Sequence, residues 1–250
     1  MAKHKRFLAV DQGNSNIKLT LISDDGTEVL RFHSDACEDV FAAVDRLRPD
    51  CGAFCSVCHM DPRMVESLRL ALDGRLLVMS HSTPLPLEFD YSTFSTLGLD
   101  RMALAVGASQ MYEGEAVAVV DAGTAVTIDI VDSRSVFRGG RISPGIALRF
   151  DALHRHTDAL PLVTSDGESP LAGISTETSI RSGVIHGLAD ELTETFRQYS
   201  KTFGCTRFVL TGGDAPLLER CISSRIPVCN RPDLLAQGLL HIYNYNEIKD

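Results

Sequence analysis

The sequence has no tryptophan, and aromatic residues of all kinds make up only 6% of its 250 residues. Basic residues are also scarce, with 24 lysines and arginines against 33 aspartates and glutamates and a formal net charge of −9. A nucleic-acid surface needs a basic face, so this composition argues against nucleic-acid binding. The hydrophobic content of 44% is typical of a folded globular protein.

Long hydrophobic runs are missing as well, and no window of the sequence approaches the length of a membrane span. The first residues are basic, but the apolar run Phe7–Val10 ends at Asp11. That run is too short for the core of a signal peptide. We therefore expect a cytoplasmic protein with no membrane partner.

The seven cysteines include a cluster between Cys51 and His59 that contains the spacing C-x-x-C-H. This spacing occurs in c-type haem attachment, and C-x-x-C alone occurs in redox and zinc sites. A haem site would require export, and a zinc site would require a second ligand pair, which the sequence does not offer at a suitable spacing. We favour the simpler interpretation of free thiols, with small apolar cysteines in a core strand.

The sequence also lacks a P-loop, since G-x-x-x-x-G-K-[ST] does not occur. A different phosphate-binding pattern follows the β-branched run at residues 116–120. Asp121 ends this predicted buried strand, and Gly123 and Thr124 follow it. Glycine lets the backbone approach a phosphate closely, and the carboxylate can hold a metal ion or its waters. Taken alone, this pattern is more simply an Asx-type turn between two strands.

The same pattern occurs earlier, where the apolar run at residues 7–10 ends at Asp11 and Gly13 follows. The two aspartates are 121 − 11 = 110 residues apart, a spacing that suits one hairpin in each of two related domains. Two acidic hairpins on opposite sides of a cleft could hold a triphosphate between them.

Hydrophobic periodicity and turn residues predict the remaining elements. In the first half, strands are predicted at 7–11, 17–23, 28–33, 51–57 and 76–79, and helices at 35–47, 62–72 and 100–112, the last capped by Asp100. In the second half, strands are predicted at 116–121, 125–131, 134–138 and 207–210, a glycine-rich loop at 139–145, and helices ending near His154, Tyr199 and Tyr245. The helix over 176–199 carries an apolar stripe, which is either core or a subunit interface; its members are Ile180, Val184, Leu188, Leu192 and Phe196.

Seven motifs are spread over nearly the whole chain. In order, they are Asp11-Gln-Gly-Asn-Ser15; Leu97-Gly-Leu-Asp-Arg101; Asp121-Ala-Gly-Thr-Ala125 with Thr127 and Asp129; Gly139-Gly-Arg-Ile-Ser-Pro-Gly145; Leu160-Pro161; Gly173-Ile-Ser-Thr176; and Thr211-Gly-Gly-Asp-Ala215. Together they resemble the motifs of the type III pantothenate kinases, a family of the acetate and sugar kinase, heat-shock and actin superfamily. Two positions depart from the family pattern. Ser15 stands where threonine is usual, and Phe94 stands where proline is usual.

The resemblance implies an α/β fold of two ribonuclease H-like domains, the actin-like ATPase fold, with a nucleotide cleft between them. We place the first domain at residues 1–114 and the second at 115–250. The implied reaction is transfer of the γ-phosphoryl group of ATP to the primary hydroxyl of pantothenate. The product would be 4′-phosphopantothenate, made in the first step of coenzyme A biosynthesis.

The resemblance also implies roles for individual residues. Asp100 would be the catalytic base. The residues that bind ATP would be Asp11, Gln12, Gly13, Asn14, Ser15, Asn16, Ile17, Lys18 and Thr124. The residues that bind pantothenate would be Tyr91, Gly98, Leu99, Asp100, Arg101 and Thr176, the last reaching it from the partner subunit of a homodimer. Asp11 would hold magnesium through phosphate or water, and Asp121 would bind a monovalent cation, either potassium or ammonium.

Two alternatives remain open at this point. The chain could be a kinase of the same superfamily that acts on another small hydroxy substrate. It could also be a nucleotide-binding accessory transcriptional regulator, since such regulators share these motifs. The intact Asp100, Arg101 and both acidic hairpins favour the enzyme.

Overall fold

The structure is a computed structural model that describes residues 6–58 and 61–247. The strands along the chain are β1 (Phe7–Gln12), β2 (Asn16–Ser23), β3 (Gly26–His33), β4 (Cys51–Ser56), β5 (Leu76–Val78), β6 (Glu88–Phe89), β7 (Val117–Ala122), β8 (Ala125–Val131), β9 (Val136–Pro144), β10 (Arg207–Thr211) and β11 (Cys229–Asn230). The helices are α1 (Cys37–Leu47), α2 (Pro62–Ala71), α3 (Leu99–Met111), α4 (Ile146–Arg155), α5 (Thr176–Phe203), α6 (Ala215–Ile222) and α7 (Leu234–Glu247).

The chain divides into two compact units. One extends to Met111 and also takes in the chain from Asp233 onward, and the other is Tyr112–Pro232. The predicted boundary followed residue 114 and placed the last helix in the second domain. The structure therefore differs from that division mainly in α7, which groups with the first unit.

The sheet of the first unit has the strand order β3-β2-β1-β4-β5. Strand β1 is antiparallel to β2 and parallel to β4. Leu8 and Val10 alternate with residues of the other face of β1, and they pack in a core with Val40 of α1 and Leu68 of α2. This sheet brings Asp11 to the carboxyl end of its central strand.

The sheet of the second unit repeats this topology. Strand β7 is antiparallel to β8 and parallel to β10, and the order across the unit is β9-β8-β7-β10-β11. Strands β7 to β11 therefore take the places that β1 to β5 take in the first unit. The predicted pair of ribonuclease H-like domains is confirmed.

Helix α5 covers one face of the second sheet. The apolar stripe on this helix faces the core of its own unit, where Ile180, Val184 and Leu188 are at most 8% exposed. The stripe is intramolecular core, and its use as a subunit interface was a wrong suggestion. The helix also continues past Tyr199 to Phe203 and ends at Gly204, which adopts the left-handed conformation.

The glycine-rich stretch at 139–145 was predicted as a loop, and that prediction is wrong. Strand β9 runs through it to Pro144 and pairs with β8. Between Asp129 and Val131 the pairing shifts by one residue, so β9 contains a β-bulge, and Gly139 has a φ of 92° there. A Cβ on Gly140 would overlap the backbone carbonyl oxygen of Ile128 as well as the side chain of Asp129, so this position excludes any larger residue.

Two glycines explain why α7 belongs to the first unit. A Cβ on Gly107 of α3 would overlap the carbonyl oxygen of Leu234, and a Cβ on Gly238 of α7 would overlap that of Ala103. The two helices therefore approach at backbone distance, which only glycine permits. None of the helices that the structure describes is long and apolar enough to cross a membrane.

Cys51 and Cys55 lie on β4 and are buried. This confirms that they are core-strand residues. Cys58 is half-buried and lies two residues after the end of β4, so it is not part of the core strand. His59, the last residue of the C-x-x-C-H spacing, lies outside the described residues.

Candidate active site

The first acidic hairpin joins β1 to β2 in the first unit. The N–H of Gly13 donates to the carbonyl oxygen of Asn16 at 2.9 Å and closes the turn. Asn14, Ser15 and Asn16 are exposed, so the turn is open to a ligand. Asp11 and Lys18 stand opposite each other in the register of the two strands, which places a cation beside the carboxylate.

Two residues of this hairpin point away from solvent. Gln12 is buried at the end of β1, and Ile17 is completely buried in the core at the start of β2. The predicted contact of Ile17 with ATP would therefore run through backbone atoms. The buried Oε1 of Gln12 has no hydrogen-bond partner in the described part of the chain.

Asp100 lies in the first turn of α3. The helix begins at Leu99, one residue before Asp100, so the predicted role of Asp100 as the N-cap is wrong. Its Oδ1 accepts a hydrogen bond from the N–H of Arg101 at 2.8 Å. A carboxylate in a first helical turn is favoured by the helix dipole, which helps to hold this charge in a partly buried place.

The residues around Asp100 restrict its side chain. A Cβ on Gly98 would overlap Oδ1 of Asp100, so a larger residue here would displace the carboxylate, which folds back over the chain. Arg101 is only 5% exposed, and its guanidinium lies 5.8 Å from the centre of the Tyr91 ring. This distance is within the range of a cation–π interaction. The predicted residues Tyr91, Gly98, Leu99, Asp100 and Arg101 therefore belong to one short loop and helix start.

The carboxyl groups of Asp11 and Asp100 both have a pKa above the usual range of an aspartate. Burial raises the pKa of Asp11 to about 6, the charge of Asp100 adds to that rise, and the charge of Lys18 opposes it. Burial also raises the pKa of Asp100, while the N–H and the charge of Arg101 lower it. Perturbed carboxyl groups of this kind are characteristic of catalytic and ligand sites.

The loop before α3 is held by His81, Phe89 and Phe94, of which only Phe94 stood out in the sequence. Nε2 of His81 lies 2.8 Å from the carbonyl oxygen of Leu97, and since a carbonyl can only accept, Nε2 carries the proton. Phe94 packs edge-on against His81 and Phe89, with ring centroids 6.0 and 5.3 Å apart. Phe94, where the family usually has proline, therefore anchors the loop by aromatic packing. Only the motif departure at Phe94 signalled this in the sequence.

The second acidic hairpin joins β7 to β8 in the other unit. The N–H of Gly123 donates to the carbonyl oxygen of Ala125 at 3.1 Å, much as Gly13 closes the first turn. The N–H of Gly145 donates to the carbonyl oxygen of Thr124 at 3.0 Å, and a Cβ on Gly145 would overlap this turn. A Cβ on Gly212 would overlap Ala122 on the other side. Close backbone contacts therefore fix the hairpin that carries Asp121 and the exposed side chain of Thr124.

Thr176 lies at the start of α5 in the second unit. Its neighbour Ser175 is the N-cap and forms a capping box with Thr178. Thr176 is exposed and lines a cavity of about 1300 Å³ together with Leu153, Leu160 and Ile174. The structure therefore places Asp121, Thr124 and Thr176 in the second unit and all the other predicted site residues in the first.

Comparison with known proteins identifies the family. The family model of the type III pantothenate kinases matches residues 7–198. The chain belongs to the type III pantothenate kinase family. A curated type III pantothenate kinase from Porphyromonas gingivalis is 40% identical over 243 residues, which cover 96% of this chain and 98% of that protein.

Solved structures agree with the fold. A conserved putative Baf family transcriptional activator from Campylobacter jejuni superimposes with a TM-score of 0.58 at 21% identity, over 97% of this chain and all of that one. An archaeal actin homologue superimposes with a TM-score of 0.53 at 12% identity, over 97% and 99% of the two chains. At these identities the likeness concerns the actin-like fold alone.

Family membership gives the activity. This kinase uses ATP to phosphorylate pantothenate in the biosynthesis of coenzyme A. It is an enzyme, so the alternative of a regulator without catalysis and the alternative of another small substrate are set aside.

Proposed function

We propose that Asp100 is the general base that accepts the proton of the pantothenate hydroxyl during phosphoryl transfer. The observation that carries this proposal is the setting of its carboxyl group, which is desolvated, has a raised pKa and is held against Gly98 and Arg101. A general base works best when its pKa lies closer to the working pH than that of a free carboxyl group. Phosphoryl transfer otherwise depends mainly on positioning and charge neutralisation.

Arg101 and Tyr91 would position pantothenate. Pantothenate carries a carboxylate, and Arg101 offers a cation whose guanidinium is already ordered over the Tyr91 ring. Ordering before binding reduces the entropy lost when the substrate binds. Gly98 and Leu99 would contact the substrate from the same short segment.

The first hairpin would hold the phosphates of ATP together with magnesium. The residues fit this ion, because Asp11 offers a carboxylate whose pKa burial and Asp100 raise more than the charge of Lys18 lowers it, so a bound cation would favour its ionised form. When bound, magnesium neutralises charge on the phosphate oxygens. The open turn at Asn14 to Asn16 and the ammonium group of Lys18 would contact the phosphates directly.

The second hairpin would bind ATP through Thr124 and a monovalent cation through Asp121. A carboxylate near phosphate oxygens repels them, and a cation between them turns this repulsion into attraction. Potassium or ammonium would serve, since both are weakly hydrated single charges. The fixed backbone around Gly145 and Gly212 keeps this site in place.

We also propose a homodimer, on a different surface from the buried stripe of α5. Ile174 is 98% exposed, and Leu162 and Leu171 nearby are also exposed apolar residues. Ile174 lines the same cavity as Thr176, so an exposed apolar side chain lies next to a cavity with apolar lining. A two-fold axis pairs one patch with its own copy, which suits such a surface. Thr176 would then reach pantothenate bound by the partner subunit.

The division of labour between the two carboxylates can be tested by binding. Calorimetry with a non-hydrolysable ATP analogue and magnesium should give nearly wild-type affinity for Asp100→Asn and clearly weaker affinity for Asp11→Asn. Pantothenate binding measured in parallel shows that the second variant is folded. Equal weakening of analogue binding in both variants would contradict the separate roles.

A cytoplasmic location stays a prediction from the sequence.

A further inference from the structure

One side-chain hydroxyl group of strand β8 is buried but makes no hydrogen bond within the described part of the chain. Oγ1 of Thr127 is buried and has no hydrogen-bond partner among residues 6–58 and 61–247. Buried polar atoms in folded proteins nearly always have a partner, because leaving one unpaired is costly. A ligand that is not part of the chain can supply that partner.

The register of the second sheet places this hydroxyl beside Asp121. Thr127 stands opposite Asp121 in the antiparallel pair of β7 and β8, and Thr211 stands opposite Asp121 in the parallel pair of β7 and β10. Residues paired across strands point to the same face of a sheet. Thr211, Asp121 and Thr127 therefore form one row of side-chain oxygens, which we call the oxygen row.

The surroundings of the oxygen row are rigid. Thr211 is only 4% exposed, and the turns that follow β7 and β10 are fixed by the close approach of Gly212 to Ala122. One step further into the sheet, Asp129 lies on the same face of β8 as Thr127 and is 2% exposed. The row itself contains one carboxylate and two neutral hydroxyl groups, a set that favours a bound cation over an anion.

The chemistry of the row suits a singly charged cation. A carboxylate flanked by two neutral hydroxyl oxygens offers hard oxygen ligands with little total charge. Magnesium prefers to keep its waters and to bind carboxylates and phosphates in strict octahedral geometry. A weakly hydrated monovalent ion accepts a looser set of neutral oxygens, of the kind found in potassium-selective sites.

We propose that Thr127, with Thr211 as a second donor, is a ligand of the monovalent cation that we assign to Asp121. The inference rests on that proposed cation site and adds two residues to it. It also explains why the Thr127 hydroxyl is buried without a partner from the described chain. Thr127 would then help to select potassium over smaller ions by adding an oxygen at a fixed distance from the carboxylate.

The test measures binding, not turnover. The affinity for a non-hydrolysable ATP analogue with magnesium is measured by calorimetry in potassium and in sodium at equal ionic strength, followed by a potassium titration. Because coupling between two ligands is reciprocal, tighter analogue binding in potassium reports the cation site. The variants are Thr127→Val, which keeps the shape, Thr127→Ala, which adds no methyl group, and Thr127→Ser, which keeps the hydroxyl.

We expect Thr127→Val and Thr127→Ala to need about tenfold more potassium for half-maximal analogue binding, the scale on which partners of a bound metal act. Thr127→Ser should behave like the wild type, and Thr211→Val should lie between. Thr193→Val is the matched control, since it also removes a buried hydroxyl, one that donates to Ala189 on α5. It should change stability without changing the response to potassium.

Each outcome separates the inference from the cation site on which it rests. If Asp121→Asn loses the preference for potassium while Thr127→Val and Thr127→Ala keep it, the inference about Thr127 is overturned and the site at Asp121 stands. If Asp121→Asn keeps the preference, or the wild type has none, the proposed cation site itself is overturned. If Thr193→Val weakens the response of analogue binding to potassium as much as Thr127→Val does, the inference about Thr127 is also overturned.

Discussion

Asp100 lies close enough to Asp11 for its negative charge to raise the pKa of Asp11, adding to the larger effect of burial. The two carboxyl groups arrive from different elements, one at the end of β1 and the other in the first turn of α3. Repulsion between these two carboxyl groups destabilises the ionised form of Asp11 when no metal ion is bound.

Asp11 should destabilise the free protein at neutral pH. Its folded pKa of about 6 exceeds the pKa of 3.8 that an aspartate has in an unfolded chain, so folding favours the protonated form. The penalty is absent below about pH 4, grows between pH 4 and 6, and is complete above pH 6, where it amounts to at most about 3 kcal/mol. Asp11→Asn should therefore raise the free energy of unfolding at pH 7.5 by about 1–3 kcal/mol, measured by urea denaturation without nucleotide.

The same measurement at pH 4 should show little difference between Asp11→Asn and the wild type. Asp25→Asn, which removes one exposed charge in the turn between β2 and β3, is the control. A less stable Asp11→Asn at pH 7.5 would contradict this account of the Asp11 carboxyl.

Gly98→Ala should damage catalysis more than folding. The added Cβ would overlap Oδ1 of Asp100, a side-chain atom that can move aside, so the carboxylate would turn away while the backbone stays in place. Misplacing a catalytic group by about 1 Å costs on the order of a hundredfold in rate, and we expect a fall of that size in kcat. Gly187→Ala on α5 is the control, because nothing lies within 4 Å of a Cβ there. A wild-type kcat for Gly98→Ala would show that the carboxylate position is not critical.

His81→Ala should raise the KM for pantothenate. The imidazole holds the carbonyl of Leu97, directly before Gly98, so its loss frees the loop that would position the substrate. One neutral hydrogen bond contributes about 1 kcal/mol, which corresponds to roughly a fivefold change in KM. His81→Gln can still donate to the carbonyl and should recover part of the loss. Steady-state kinetics at varied pantothenate would refute the role of His81 if both variants match the wild type.

Ile174→Asp should separate the subunits of the proposed dimer. The side chain is 98% exposed within the chain, so the substitution should leave the melting temperature of each protomer nearly unchanged. Sedimentation should then show a monomer, and turnover should fall because Thr176 no longer reaches a partner site. Leu70→Asp, at another exposed apolar residue, which lies on α2 and is 74% exposed, should leave both properties as they are. A dimeric Ile174→Asp variant would move the interface elsewhere.

The sequence predicted the features that depend on local pattern. Continuous apolar runs at 7–10 and 117–120 located β1 and β7, and the acidic residue and glycine that end each run located both hairpins. These signals are short-range, since a strand and the turn after it are specified within a few residues. The matching topology of both units was implied by the resemblance to the family.

The features that sequence reasoning missed depend on distant partners. In the sequence alone, Gly139 and Gly140 suggest a loop. In the structure they pair with β8, where they form a bulge and a close contact with Asp129. The grouping of α7 with the first unit depends on Gly238 meeting Ala103 of α3, far away in the sequence. The bond from His81 to Leu97 likewise joins residues 16 positions apart.

The candidate site divides in the same way. The residue types of the motifs indicated Asp11, Asp100 and Asp121, but the motifs alone could not show that α3 begins before Asp100 or that Gly98 is needed to seat its carboxylate. The orphan hydroxyl of Thr127 is invisible in a sequence, because a threonine in a strand is ordinary. Side-chain burial and partners decide such points.

The most direct test of the account is the turnover of Asp100→Asn at saturating pantothenate and magnesium-ATP. Asparagine preserves the size of the side chain but cannot accept the hydroxyl proton. Turnover should fall by about 10²–10⁴-fold, the usual contribution of general acid–base catalysis, with an unchanged melting temperature as evidence of folding. Near-normal turnover in a folded Asp100→Asn variant would contradict the central claim that Asp100 is the general base.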